Sequence, residues 1–254
     1  MSQNLLQYLS VALPTIPIGR TAPSPNDPNP HYSADNITQI QSWTEFNYST
    51  IIEHYGTMLN SKQIRCDPFS SPPASIQSEP YFRARVAELV MPRVRRALRA
   101  GFEQLTPELQ ARRLSPVTFD GGSAAAIIDD FRPDTAYVVV GSELWGSNRA
   151  PGTLNVSWKW QSCWRSSTDS LLHGEYKQAL SQVNFYMNQH TARHGFILTN
   201  TELVAVKQLD RSGRLAVSTA IPWTAGGEGQ LSVLLALWYI GMLAAEDENW
   251  TLNV

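Results

Sequence analysis

Apolar residues recur every three or four positions through "YFRARVAELVMPRVRRALRAGFEQL" (residues 81–105), and after "ARRLSP" the repeat shortens to about two. The first spacing predicts an amphipathic helix and the second predicts strands. Ser78 can cap the helix, Glu79 and Pro80 suit its first turn, and Pro92 predicts a kink. Phe82, Val86, Leu89, Val90, Val94, Ala97 and Leu98 share one side of the helical wheel, with Arg85, Arg95, Arg96 and Arg99 opposite.

Further along, "SAAAIIDDFRPDTAYVVVG" reads as strand, turn, strand, and "TLNVSWKWQS" as another strand. "LLHGEYKQALSQVNFYMNQHTARH" reads as a helix and "GFILTNTELVAVKQLD" as a hairpin closing on Asn200 and Thr201. A strand "LAVSTAIPW", a "TAGGEG" turn and a helix from Gln230 to Ala245 follow. Upstream, "ITQIQSWTEFNYSTIIEHYGTML" has helical spacing, whereas "TAPSPNDPNPHYSADN" is loop, too rich in Pro, Asn and Ser for a helix or central strand. The order predicts an α/β fold: a mixed central sheet flanked by helices, with an N-terminal helical extension. Residues 1–77 are read as an arm, a Pro-rich loop and that extension, and residues 78–254 as the α/β domain.

Composition narrows the setting. The chain has 254 residues, 43% of them apolar, and eight tryptophans, which is ample for a core. Cys66 and Cys163 are too few for a disulfide framework and form no C-x-x-C pair, so a reducing, cytoplasmic setting is expected. "MSQNLLQYLSVALPTIPIG" has no Lys or Arg before Arg20, and Pro14 and Pro17 interrupt any signal-like helix. The apolar run "LSVLLALWYIGMLAA" is shorter than the ~20 residues that span a bilayer and predicts a buried helix, with no membrane partner. Net charge is −2, yet eight of the 20 basic residues are arginines between Arg83 and Arg113. A solvated helix face accounts for such a run. An almost pure arginine face also suits bidentate phosphate contacts, which makes Arg85, Arg95, Arg96 and Arg99 candidates for nucleic-acid binding.

Candidate chemistry lies in the strand region. Asp134 opens a strand, Lys159 falls in the next, and Gln182 and Tyr186 are four apart on one helix face. Asp134 with a second carboxylate would hold a divalent cation, and Lys159 would orient water or stabilise developing charge. His173, His190 and His194 are too scattered for a metal triad.

Pro133-Asp134, Ser157-Trp158-Lys159 and the Q-x-x-x-Y of Gln182 to Tyr186 together resemble the PD-(D/E)XK nuclease superfamily over roughly residues 80 to 210. The resemblance implies a restriction-endonuclease-like core. One position departs: Ser157 stands where the family has Asp or Glu, and an uncharged hydroxyl is a poor Mg²⁺ ligand. Asp129, Asp130 and Glu143 are candidates to replace the missing acid.

"SQVNFYMNQHTARHGFILTNTELVAVKQLD", "LAVSTAIPW" and "LLALWYIGML" also look like a group of fungal proteins that includes arginine-containing cyclodipeptide synthases. That likeness implies acyl transfer from arginyl-tRNA and a second aminoacyl-tRNA to a diketopiperazine, with no metal or other cofactor. An arginyl group needs a carboxylate fork and an aromatic plate, and Asp129, Asp130, Asp134, Glu143, Trp145, Trp158, Trp160 and Trp164 are available. Ser157 and Cys163 are possible acyl acceptors, Lys159 an electrostatic partner, and Tyr186 or Glu175 a proton shuttle. The same cysteine and tryptophans also read as ordinary core residues. A tRNA-dependent acyltransferase, a Mg-dependent nuclease and an inactive nucleic-acid-binding domain all stay open.

Overall fold

A computed structural model describes residues 1–21, 26, 29–141 and 146–252. In chain order the elements are β1 (Ser2–Asn4), α1 (Leu5–Leu9), β2 (Gln39–Ser42), α2 (Tyr48–Ser61), β3 (Gln63–Arg65), α3 (Glu79–Leu89) and α4 (Met91–Leu105). Then come β4 (Val117–Gly121), β5 (Thr135–Val139), β6 (Gly152–Leu154), α5 (Ser170–His190), β7 (His194–Leu198), β8 (Glu202–Gln208), β9 (Arg214–Val217), β10 (Ile221–Pro222) and α6 (Val233–Ala245).

The protein is α/β, with a mixed eight-stranded sheet in the order β2-β9-β8-β7-β6-β5-β4 and β10 paired to β8. The pairs β2–β9 and β6–β7 are parallel and the remaining ladders antiparallel. β1 and β3 form a separate two-stranded ribbon.

Alternation along the strands sorts side chains onto two faces. Phe196, Leu198, Leu203 and Ala205 face a large cluster with residues of α1, α2, α4 and α6, whereas Ile197, Val204 and Val206 pack with Tyr176, Leu180, Val183 and Met187 of α5. Leu5, Leu9, Trp43 and Ile51 lie in the same cluster as Leu98 and Trp238, so residues before and after position 77 share one core. Nearly every side chain of α6 is buried, which accounts for its uniform apolarity, and among the described residues no helix is long and apolar enough to cross a membrane.

The hairpin closes on Asn200 and Thr201 as expected, pairing β7 with β8. The helix break is also present: Val90 separates α3 from α4, with Pro92 in the first turn of α4. Several segments differ. Residues 37–59 split into β2 and α2, because Ile37, Ile40 and Trp43 fit helical spacing while β9 supplies β2 with a parallel partner. Asn47 starts α2 by accepting the Thr50 amide. "SAAAIIDD" is not a strand: β4 lies earlier, and a 3₁₀ turn at Gly122–Ala124 leads to a loop in which Asp129 and Asp130 have φ of 51° and 63°. β6 ends at Leu154, so Ser157 and Lys159 lie in a turn rather than on a strand, with Lys159 and Trp160 amides both donating to the Val156 carbonyl. α6 starts at Val233, not Gln230, since Ser232 accepts the Leu235 amide.

Candidate functional site

Asp134 sits immediately before β5, and its position depends on a glycine across the ladder. A Cβ on Gly122 would lie 1.7 Å from the Pro133 carbonyl oxygen, so only glycine permits the close approach by which the Gly122 amide donates to the Asp134 carbonyl at 3.0 Å. The Asp134 side chain then points to the end of β6. Its Oδ2 accepts the Leu154 amide at 2.7 Å and its Oδ1 meets Arg83 Nη2 at 2.7 Å.

Arg83 projects from α3. Glu79, four residues earlier on the same helix face, meets Lys159 Nζ at 3.2 Å. The Asp134 and Lys159 side chains are 14% and 16% exposed, against 28% for Glu79 and 50% for Arg83, so the inner member of each pair is the sheltered one. With Asn26, Tyr32, Leu154, Asn155, Gln178, Ala179 and Gln182 these residues line a cavity of about 210 Å³. Asn26 is tied in by donating to Glu175 Oε2 and to the Lys159 carbonyl, and it accepts from Asn155.

Burial raises the Asp134 carboxyl above its usual range, Arg83 and the Leu154 amide work against that shift, and the Glu79 charge adds to it. Burial likewise raises the Tyr186 phenol, which is hydrogen-bonded to Gln182 and feels the charges of Asp134 and Arg83. Thus α5 brings Gln182 and Tyr186 to the same charged centre as Asp134 and Lys159.

The other expected residues lie elsewhere. Ser157 is buried and does not line the cavity; its amide donates to Asn200 Oδ1 at 2.8 Å and its Oγ accepts from Asn200 Nδ2 at 3.1 Å. Asp129 and Asp130 are on an exposed turn, and Glu143 and Trp145 lie outside the described residues. Trp160 is a core residue rather than a plate: fully buried, stacked on Tyr176 at 5.7 Å, and donating to the Tyr176 carbonyl. Trp158 is half-buried and packs on the main core. Cys163 is exposed on the 3₁₀ turn Ser162–Ser166. His190 and His194 are buried and held neutral, their pKa values pushed down to about 4 and about 3 by desolvation.

The arginine ridge is broken up by internal pairs. Arg85 pairs with Glu88, Arg95 with Asp120 and the Phe119 carbonyl, and Arg96 with Asp67. Arg99 is exposed and has no carboxylate partner among the described residues. Charge pairing with distant acids was invisible on a wheel of one helix.

Glu79, Arg83, Asn26, Asn155 and Gln178 were not expected at the site. The four-residue spacing of Glu79 and Arg83 at a helix start was a local signal for those two. Among the described residues no group of three or more His, Cys, Asp or Glu side chains could hold a metal ion. Among the described residues the cleft offers two carboxylates, Asp134 and Glu79, each already facing a cation of the chain itself. Such a set can exchange a bound cationic group at Asp134, polarise a carbonyl through Lys159 and accept a proton at Glu79. Comparison with protein families, with curated proteins and with solved structures finds no match to this chain.

Proposed function

We propose that the chain is an aminoacyltransferase that draws on charged tRNAs and joins arginine to a second residue as a cyclodipeptide, on a restriction-endonuclease-like core. The Arg83–Asp134 pair carries this reading: the acid that a nuclease would give to a metal holds a guanidinium, the group an arginyl substrate presents. The serine at position 157 turns away to Asn200, which leaves the cleft short of a third metal ligand among the described residues.

The arginyl side chain exchanges with Arg83, whose half-exposed guanidinium can withdraw into solvent. The amine of one aminoacyl group then attacks the ester carbonyl of the other. The C–N bond forms, the C–O bond to ribose breaks, and the proton lost by the amine passes through Glu79 to the ribose oxygen. Attack by the remaining amine on the remaining ester closes the ring and releases the second tRNA. Lys159 stabilises the developing oxyanion, and Gln182 and Tyr186 hold the substrate against Asp134.

The test is mass spectrometry of reactions containing the purified chain, arginyl-tRNA and a mixture of other charged tRNAs. An arginine-containing diketopiperazine is expected, and no product from any pairing overturns the proposal. One observation favours the nuclease reading instead: Glu79 brings a second carboxylate to Asp134 and Lys159, from a helix rather than from position 157. Mg²⁺- or Mn²⁺-dependent cleavage of DNA or RNA that Asp134→Asn abolishes would establish it.

A further inference from the structure

Tyr32 separates the charged cleft from a second cavity of about 320 Å³, and it lines both. That size suits a small ligand. Helix α5 serves both cavities, with Gln178 and Gln182 in the first and Ser181, Asn184, Phe185 and Asn188 in the second.

The walls of the second cavity are aromatic on one side. Phe185 lies 5.4 Å from Tyr32 and 4.9 Å from Phe131 between ring centroids, and His31 meets Phe131 edge-on at 4.9 Å. On the other side Gln208 Nε2 donates to the carbonyl oxygens of Asn184 and Asn188, at 2.9 and 2.7 Å. Both amides are thereby oriented, and neither NH₂ group has a partner among the described residues. Gly213, which also lines the cavity at φ +82°, sits where a Cβ would be 1.8 Å from the Asn36 carbonyl, and its own carbonyl accepts the Thr38 amide. Arg211 is exposed at the mouth and has no carboxylate partner among the described residues.

We infer that this cavity receives the terminal adenosine of the charged tRNA, its base against Tyr32 and Phe185, its ring nitrogens accepting from Asn184 and Asn188, and the adjoining phosphate on Arg211. Aromatic faces with oriented amide donors are the usual means of holding an unpaired base, and adenine offers ring-nitrogen acceptors. This inference rests on the transferase reading of the neighbouring cleft. The ester of a charged tRNA is carried on the ribose of that adenosine, so a base on one side of Tyr32 puts the reacting carbonyl on the other.

The experiment is fluorescence anisotropy of the full chain with a short 5′-labelled RNA ending in CCA, the same RNA ending in CCU, and AMP as competitor. The CCA end should bind more tightly than the CCU end. Phe185→Leu should weaken CCA binding roughly tenfold, the size of one lost base stack. Asn188→Ala, at an exposed position that leaves the fold intact, should remove the preference for CCA over CCU. Equal binding of both ends by wild type, or a preference unaltered in both variants, overturns the inference. AMP competing as strongly as the RNA itself also overturns it, in favour of a mononucleotide site. Because no amino acid is present, this result is independent of product formation. Diketopiperazine formed without a CCA preference sinks the cavity assignment alone, while a CCA preference without product supports the cavity and removes the transferase.

Discussion

The guanidinium of Arg83 and the carboxylate of Asp134 meet at 2.7 Å, one carried by α3 and the other by the residue just before β5. Arg83 lowers a carboxyl that burial raises, so replacing it removes a force holding Asp134 ionised. Arg83→Met should raise the Asp134 pKa further. Under the proposed function the acidic limb of the pH–rate profile then moves to higher pH, because the variant protonates Asp134 sooner as pH falls. An unmoved limb would mean that Asp134 is not the group whose ionisation matters. With Arg83 half exposed, its contribution to stability is at most about 1 kcal/mol.

Adjacent glycines should respond unequally. Gly122→Ala forces the Pro133 carbonyl away and breaks the Gly122–Asp134 bond, costing at least about 2 kcal/mol in urea unfolding. Gly121→Ala meets nothing within 4 Å and should cost about 0.5 kcal/mol or less. Equal costs would refute the close-approach account.

Ser157→Ala should leave diketopiperazine formation within about threefold of wild type, and Cys163→Ala likewise, since neither side chain lines the cleft. Losing the acceptor for Asn200 should cost about 1 kcal/mol of stability. An aminoacyl adduct on Ser157 or Cys163 in intact-mass spectra would reinstate an acyl-enzyme.

Acid should destabilise the fold through its histidines. The folded pKa values, about 4 for His190 and about 3 for His194, lie below the unfolded value near 6.5. Between those limits the unfolded chain binds more protons, so stability is full above about pH 6.5 and falls as pH drops towards 4. Tm should decline across that window. His194→Phe, which keeps the stack on Trp43 and removes an unpartnered Nδ1, should flatten the decline. An identical Tm slope in wild type and variant would count against this assignment.

RNA affinity should depend on Arg99 more than on Arg85, because Arg85 already spends its charge on Glu88. Arg99→Gln should weaken tRNA binding and reduce the slope of log K against log salt by about one, and Arg85→Gln should do less. Equal losses in binding titrations at several salt concentrations would return both residues to a common ridge.

Much of the fold was legible because local patterns report what a segment buries. The 3.6-residue repeat of α4, the apolar runs on either side of Asn200 and the uniform apolarity of α6 each correspond to a surface that is in fact covered. Position 37 to 43 was misread because Ile37, Ile40 and Trp43 recur every three residues, as on a helix, and only the β9 partner makes residues 39–42 a strand. In the candidate site Asp134, Lys159, Gln182 and Tyr186 were legible from their order along the chain. Ser157 was not, since its orientation depends on Asn200 in a distant hairpin.

By itself, then, the sequence determined an α/β chain with a core large enough to sustain it, the helix break just ahead of Pro92, and the order along the chain of a carboxylate, a lysine and a Gln–Tyr pair. Only the tertiary structure decided that Glu79 and Arg83 join them, that the arginine ridge is largely paired off, and that Trp160 is core. Hydrophobic periodicity is written into neighbouring residues, whereas ion pairs and amide bonds join residues that meet only when the sheet is assembled. Their energies act over a few ångströms of space, and separation along the chain carries no record of them.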